Sequence, residues 1–221
     1  MLKIGVDDAG RGPVIGPMIL AGVLTNSEQE RELKKLGVKD SKQLTPKRRE
    51  FLAKKIKEII IAYELVIIQP DEIEKKQAEG IKLNEVEAIA CAKIINKLNK
   101  EDEKIKIVLD CPSTSLVKWK DYLVTKIKEL SNLEISCEHK ADQNHVAVSA
   151  ASILAKSQRE KEMDKLKEKY GSEIGSGYTS DPATQRFLQK YADKYSKDGI
   201  FRKTWVTWKK ASKDLGQRKL F

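Results

Sequence analysis

Lys3-Ile4-Gly5-Val6-Asp7-Asp8-Ala9-Gly10-Arg11-Gly12-Pro13 is the stretch whose reading decides the fold. Leu2, Ile4 and Val6 alternate with smaller or polar residues, as a strand does, and the strand then runs into acids where a core sequence would continue with Val or Ile. Successive strand side chains point to opposite faces, so Asp7 and Asp8 converge on one point only if the strand ends or bends there. Gly10 and Gly12 are the expected source of that bend and of a close approach to the main chain. Beyond Pro13, Val14 to Leu20 reads as another buried strand, which makes the start of the chain a hairpin. A dinucleotide fingerprint fits poorly, because its last glycine follows Gly-x-Gly by two residues and opens a helix. Two readings of the acids stay open: a strand ending in an acidic surface turn, or a cation site.

At 221 residues the chain has the length of one large domain, or of one domain with a small appendage. Charged residues make up 34%, and 43 basic against 33 acidic residues leave a net charge of +10. Charged surfaces selected for heat stability would be roughly balanced, so the basic surplus favours a polyanionic partner such as nucleic acid. The three cysteines, Cys91, Cys111 and Cys137, are widely spaced and form no Cys-x-x-Cys pair, which points away from a disulfide framework or a zinc site. Acids arrive by position 7 and no apolar run is long enough to span a bilayer, so the expectation is a soluble, cytoplasmic protein.

Along the chain, Ser27-Glu28-Gln29-Glu30 reads as a capping box before a short helix that Gly37 would stop, and residues 38–44 as a polar loop. Thr45 and Pro46 open a helix, Leu65-Val66-Ile67-Ile68 has the composition of a central strand, and Asp71 to Ala78 and Leu83 to Leu98 read as helices. Lys104 to Leu109 alternates as a strand that ends on Asp110, a second strand finishing in a carboxylate. Ser115 to Leu130 is expected to be helical, Leu133 to Cys137 a strand, and Val146 to Lys169 a long helix beginning just after Asp142. Its first turns, with Ala147, Ser149, Ala150, Ala151 and Ser152, are so small that something must pack very close to them. Gly175-Ser176-Gly177-Tyr178 is irregular, and Asp181-Pro182 opens a helix to about Tyr195.

Together these stretches resemble the ribonuclease HII family, the type 2 ribonucleases H, and most resemble its archaeal members. The resemblance covers nearly the whole chain. It rests on Gly5-Val6-Asp7-Asp8-Ala9-Gly10-Arg11-Gly12, Asp40-Ser41-Lys42, Asp110, Lys140-Ala141-Asp142, Ser149 to Lys156 and Gly175 to Pro182. It implies an α/β fold, a ribonuclease H-like mixed β-sheet flanked by helices. The catalytic core would span residues 1–171, and a small helical C-terminal region, residues 172–221, would complete the substrate site. It further implies that Asp7, Asp8, Asp110 and Asp142 hold two divalent ions, Mg²⁺ or Mn²⁺. Hard cations take oxygen ligands, and clustered carboxylates repel one another without a cation.

The activity implied is hydrolysis of the RNA strand of RNA/DNA hybrids and nicking of DNA duplexes 5′ of embedded ribonucleotides, leaving 3′-hydroxyl and 5′-phosphate ends. Only the 2′-hydroxyl distinguishes the two sugars at a given step. By resemblance Gly10, Arg11, Gly12 and Tyr178 would read it, with Lys42, Asn84 and Lys156 as phosphate or site-supporting contacts. The chain departs from the family at position 8, where aspartate stands for the usual glutamate and shortens the reach by about one carbon–carbon bond. Reduced activity or a preference for Mn²⁺ would follow, and the rival expectation is a catalytically weakened hybrid-binding protein. Another ribonuclease H-like nuclease is a second alternative. His139 and His145 are read as structural, and Phe201, Trp205 and Trp208 as packing of the C-terminal segment. Gln217, Leu220 and Phe221 resemble the start of a sliding-clamp binding peptide, with a frayed basic tail as the competing reading. The expected state is a monomer.

Overall fold

The computed structural model describes residues 1–39 and 44–211. Its strands are β1 Leu2–Ala9, β2 Met18–Thr25, β3 Ala62–Ile68, β4 Ile105–Asp110 and β5 Leu133–Glu138. The helices are α1 Ser27–Lys35, α2 Pro46–Ile59, α3 Pro70–Ala78, α4 Leu83–Leu98, α5 Leu116–Val124, α6 Ala141–Asn144, α7 Val146–Tyr170 and α8 Pro182–Tyr191. The chain folds as two compact units. The first takes residues 1–9, 19–66 and 82–158. The second takes residues 10–18 and 67–81 and the chain from Arg159 on.

In the first unit the five strands form one mixed sheet in the order β3-β2-β1-β4-β5. β1 lies at its centre, antiparallel to β2 and parallel to β4, and β4 is parallel to β5. On β2, Ile19, Ala21 and Val23 face a core shared with Leu33, Leu52, Ile56, Ala150, Ile153 and Leu154 from α1, α2 and α7. The alternate face carries Gly22, where a Cβ would collide with Ile94 of α4. Strand alternation therefore supplies two apolar faces to a sheet covered on both sides by helices. The small first turns of α7 have their expected close neighbour. A Cβ at Gly5 would fall 2.5 Å from Ala147 O and nearer still to Ala147 C and Val148 N.

Several local expectations need correction. β1 continues through both aspartates to Ala9, and Gly10 alone turns the chain with a positive φ of 84°. Val14 to Pro17 do not belong to a regular strand, since their hydrogen bonds run to Gly177 and to the segment 200–202. The capping box lies one residue earlier, with Asn26 as N-cap and Gln29 closing it. β3 is an edge strand, with Tyr63 39% and Ile67 36% exposed. α5 stops at Val124, because the Asn96 side chain binds Lys126 O at 3.1 Å and Lys128 N at 2.9 Å and draws the chain out of the helix. Asp142 belongs to the separate short helix α6, and α8 ends at Tyr191.

The second unit has its own core, in which Val14 and Ile15 meet Ile174, Phe187, Leu188, Phe201 and Trp208. Phe201 and Trp208 rings lie 4.5 Å apart, as packing of the C-terminal segment requires. Residues 14–16 thread this core: Val14 N–H donates to Gly177 O at 2.9 Å, Gly16 N–H to Ile200 O at 3.0 Å, and Val14 O accepts from Arg202 N–H at 2.9 Å. Residues 206–211 are helical. Among the described residues no helix is long and apolar enough to cross a membrane.

Candidate active site

Asp7 and Asp110 stand on neighbouring parallel strands, each one residue beyond the last β1–β4 pair, Val6 with Leu109; Asp110 ends β4, whereas β1 runs on to Ala9. Gly5 pairs with Val108, and both face α7: Gly5 abuts Ala147, and Val108 packs with Ala141 and Val148. By strand alternation Asp7 and Asp110 share that face. Asp7 is 6% exposed and accepts a hydrogen bond from Ser152 of α7. Asp110 Oδ1 accepts from the Ala141 N–H at 3.1 Å, which ties it to the helix carrying Asp142. Asp142 is 3% exposed, and its Oδ1 is buried without a hydrogen-bond partner among the described residues. Its backbone carbonyl accepts from Ser149 Oγ.

Asp8 leaves β1 on the opposite face, toward α4. It is half-buried and its N–H donates to Asp7 Oδ1 at 2.7 Å. A pocket at the strand ends is lined by Asp7, Asp8 and Asp110 together with Glu87, Cys91, Pro112 and Trp119. Burial, reinforced by the neighbouring charges of Asp8 and Asp110, holds the Asp7 carboxyl well above the usual carboxylate range. Burial likewise pushes the Cys91 thiol up and keeps it neutral.

The structure thus brings Asp7, Asp8 and Asp110 to one pocket and places Asp142 on the adjoining helix. Among the described residues no three His, Cys, Asp or Glu side chains are already closed around one point. The donors nonetheless fit a hard divalent cation. They are oxygens, their mutual repulsion raises the Asp7 proton affinity, and Asp142 Oδ1 is a buried acceptor that lacks a donor. A neutral thiol offers little to a soft metal.

In the second unit Gly10 is buried, Arg11 half-buried and Gly12 exposed. Apart from its chain neighbours, no atom of the described residues lies within 4 Å of a Cβ built at Gly12, so that backbone is open among them to an approaching group. Tyr178 is 40% exposed, with the Arg159 guanidinium 4.8 Å from its ring centre. Its loop is fixed from below: Asp181 caps α8 through Ala183 N–H, and accepts from Ser176 N–H at 2.7 Å, while Gly177 N–H donates to Thr184 Oγ1. These donors hold the Asp181 carboxyl down at about 2.

Of the remaining expected residues, Asn84 is half-buried in the first turn of α4 and its carbonyl accepts from Trp119 Nε1 at 2.9 Å. Lys156 is half-buried on α7. Lys42 and the tail residues Gln217, Leu220 and Phe221 lie outside the described residues. Both histidines have structural partners, His145 with Glu138 at 2.8 Å and His139 with Cys111 O at 3.1 Å. Sequence reading missed Glu87, 2% exposed in the pocket wall, and the buried Arg159 and Arg202. In a chain with 43 basic residues nothing local marks two of them as buried.

Residues 4–208 match the ribonuclease HII family model. The chain is 43% identical over 230 residues to ribonuclease HII from Methanocaldococcus jannaschii, covering 100% of this chain and 99% of that one. Its fold matches the crystal structure of ribonuclease H2 from Pyrococcus horikoshii OT3 with a TM-score of 0.85 and 37% identity, over 97% and 98% of the two chains. It also matches ribonuclease HII in the PCNA complex from Archaeoglobus fulgidus, with a TM-score of 0.81 and 37% identity over 93% and 95%. The open glycine backbone, the capped tyrosine loop and the carboxylates of β1 and β4 all fall within the matched span, and the chain belongs to the ribonuclease HII family.

Proposed function

We propose that this ribonuclease H is a metal-dependent endonuclease that cuts the RNA strand of RNA/DNA hybrids and nicks duplex DNA 5′ of an embedded ribonucleotide, leaving 3′-hydroxyl and 5′-phosphate ends. The observation that carries the reading is the burial of Asp7 with Asp8 and Asp110 charges that repel it, together with an Asp142 oxygen, next in sequence to the amide that holds Asp110, that has no donor among the described residues. Asp7, Asp8, Asp110 and Asp142 would hold two divalent ions, Mg²⁺ or Mn²⁺. When bound, the ions supply activation of a water for in-line attack on phosphorus and stabilisation of the departing 3′ oxygen. The protein's own part is orientation: Ser152 fixes the Asp7 carboxylate, and the Ala141 N–H fixes that of Asp110. Gly10, Arg11, Gly12 and Tyr178 read the ribose, and the basic surplus attracts the backbone.

The test is cleavage of a labelled DNA duplex carrying one ribonucleotide, beside an all-DNA duplex and an RNA/DNA hybrid, in Mg²⁺, in Mn²⁺ and in chelator. A nick 5′ of the ribonucleotide, with the all-DNA control intact and no product in chelator, is the expected result. Hybrid binding without cutting in either metal would refute it and leave a binding protein, the reading that the shorter Asp8 on the α4 face favours. The Archaeoglobus fulgidus relative was solved in complex with PCNA. We extend that to this chain through Gln217, Leu220 and Phe221, and equal clamp affinity with and without residues 217–221 would refute the assignment.

A further inference from the structure

Arg202 is 0% exposed, an uncommon position for a guanidinium. Four of its hydrogen bonds run to backbone carbonyls. Nη1 donates to Arg11 O at 2.6 Å, Nη2 to Gly10 O at 2.6 Å and Gly16 O at 3.0 Å, and Nε to Gly16 O at 3.3 Å. The guanidinium carbon is 5.1 Å from the ring centre of Trp205, whose Nε1 donates to Gly12 O at 3.1 Å. One short segment therefore grips three consecutive carbonyls of the Gly10-Arg11-Gly12 loop.

The consequence follows from peptide geometry. No peptide bond described here is cis, and in a trans peptide the N–H points opposite to the C=O of the same unit. With Gly10 O and Arg11 O drawn to the guanidinium, the N–H groups of Arg11 and Gly12 are turned away from it. Arg159 backs the same loop: its Cδ and Nε lie 2.5 Å from where a Cβ on Gly10 would stand. Its Nη2 donates to Ser176 O at 3.0 Å and its guanidinium faces Tyr178.

We infer that Arg202 is the positioning residue for ribonucleotide selectivity: by holding the Gly10 and Arg11 carbonyls inward it presents the following two amides to the ribose of the substrate. The inference rests on the proposed reading of that loop. Lysine cannot replace the arginine, because one ammonium point charge does not span three carbonyls as a planar fork does. Loss of a hydrogen bond to a charged group corresponds to about tenfold or more in an equilibrium.

The experiment compares wild type, Arg202→Lys and Trp205→Phe. Binding is measured in Ca²⁺ to a DNA duplex with one ribonucleotide and to the all-DNA duplex of the same sequence, and kcat and KM for the first are measured in Mg²⁺. Arg202→Lys is expected to lose about tenfold of the preference for the ribonucleotide while all-DNA affinity stays at the wild-type level. Trp205→Phe, which removes the single N–H to Gly12 O, loses less in the same direction, and decides the matter alone if Arg202→Lys does not fold. Folded variants that keep the wild-type preference overturn the inference and leave the proposed function standing. A wild type with no preference and no cleavage overturns the proposed function and takes this inference with it.

Discussion

Replacing Gly5 by alanine drives a methyl group into the backbone at the start of α7. The new Cβ would lie 2.5 Å from Ala147 O and closer to Ala147 C and Val148 N, where ordinary carbon contacts stand at about 3.5–4.0 Å. A separation of about 1 Å or more is required. β1 cannot supply it, being paired on both sides by β2 and β4, so α7 must retreat. Overpacking typically costs about 1–3 kcal/mol, and a clash with helix backbone between two buried elements belongs at the upper end, ~3 kcal/mol. With a urea slope near ~3 kcal/mol/M for a chain of this size, the midpoint falls by about 1 M. The same retreat withdraws Ser152 from Asp7, so cleavage falls in the folded fraction as well. Gly12→Ala is the matched control: beyond its chain neighbours nothing among the described residues lies within 4 Å of its Cβ, so the midpoint shifts by under about 0.2 M, the equivalent of ~0.5 kcal/mol, while kcat/KM for the one-ribonucleotide duplex drops. Urea unfolding followed by circular dichroism measures both. Equal midpoints for wild type and Gly5→Ala would refute the close-packing argument.

Raising the Asp7 proton affinity stabilises the ion-free fold at low pH and withdraws that contribution as pH rises through the shifted value. Mg²⁺ should therefore raise Tm at neutral pH and progressively less on acidification, and Asp7→Asn should abolish the pH dependence; a Mg²⁺ shift that is the same in the Asn variant counts against the site. Asp181 runs the other way: its folded value of about 2 lies below the ordinary 3.8, so its contribution is present above about pH 4 and lost as pH falls toward 2. Protection of the Ser176 amide, taken relative to its intrinsic exchange rate, should fall over that window in wild type and be low throughout in Asp181→Ala, which costs about 1 kcal/mol as a lost cap. Asp8→Glu restores about one carbon–carbon bond of reach, and should raise Mg²⁺-supported cleavage relative to Mn²⁺. An unchanged metal ratio would show that position 8 does not limit the reaction.

What the sequence made legible was local in origin. Thr45-Pro46 and Asp181-Pro182 open helices where expected because an N-cap and a fixed φ act within one turn. The period-two pattern located the strands that carry Asp7 and Asp110, because alternation is a property of the strand itself, although β1 runs on past Asp7 to Ala9 and only the pairing shows the two strands to be neighbours. What it hid depends on residues far along the chain. The continuing charged pattern through Lys126 and Glu129 gave no sign that Asn96 would cut α5 short. Leu65 to Ile68 has a composition equally suited to a half-covered edge, and only the strand order reveals that it is one. Val14 and Ile15 are as apolar as a strand, yet their partners are Gly177 and residues 200–202. Arg202 was invisible for the same reason, since its partners lie 186 to 192 residues away.

A guanidinium sealed inside the second unit answers to different conditions than the lysines around it. Surface cations lose their hold on phosphate as counterions crowd in, and affinity falls steeply with ionic strength. A charge with no exposure to solvent, already committed to carbonyls, is hardly screened at all. If Arg202 positions the glycine loop as inferred, grip and discrimination come under separate controls: added salt should loosen the protein from nucleic acid without lowering its preference for a ribonucleotide. Accuracy would then be a property of the folded interior, insulated from ionic strength.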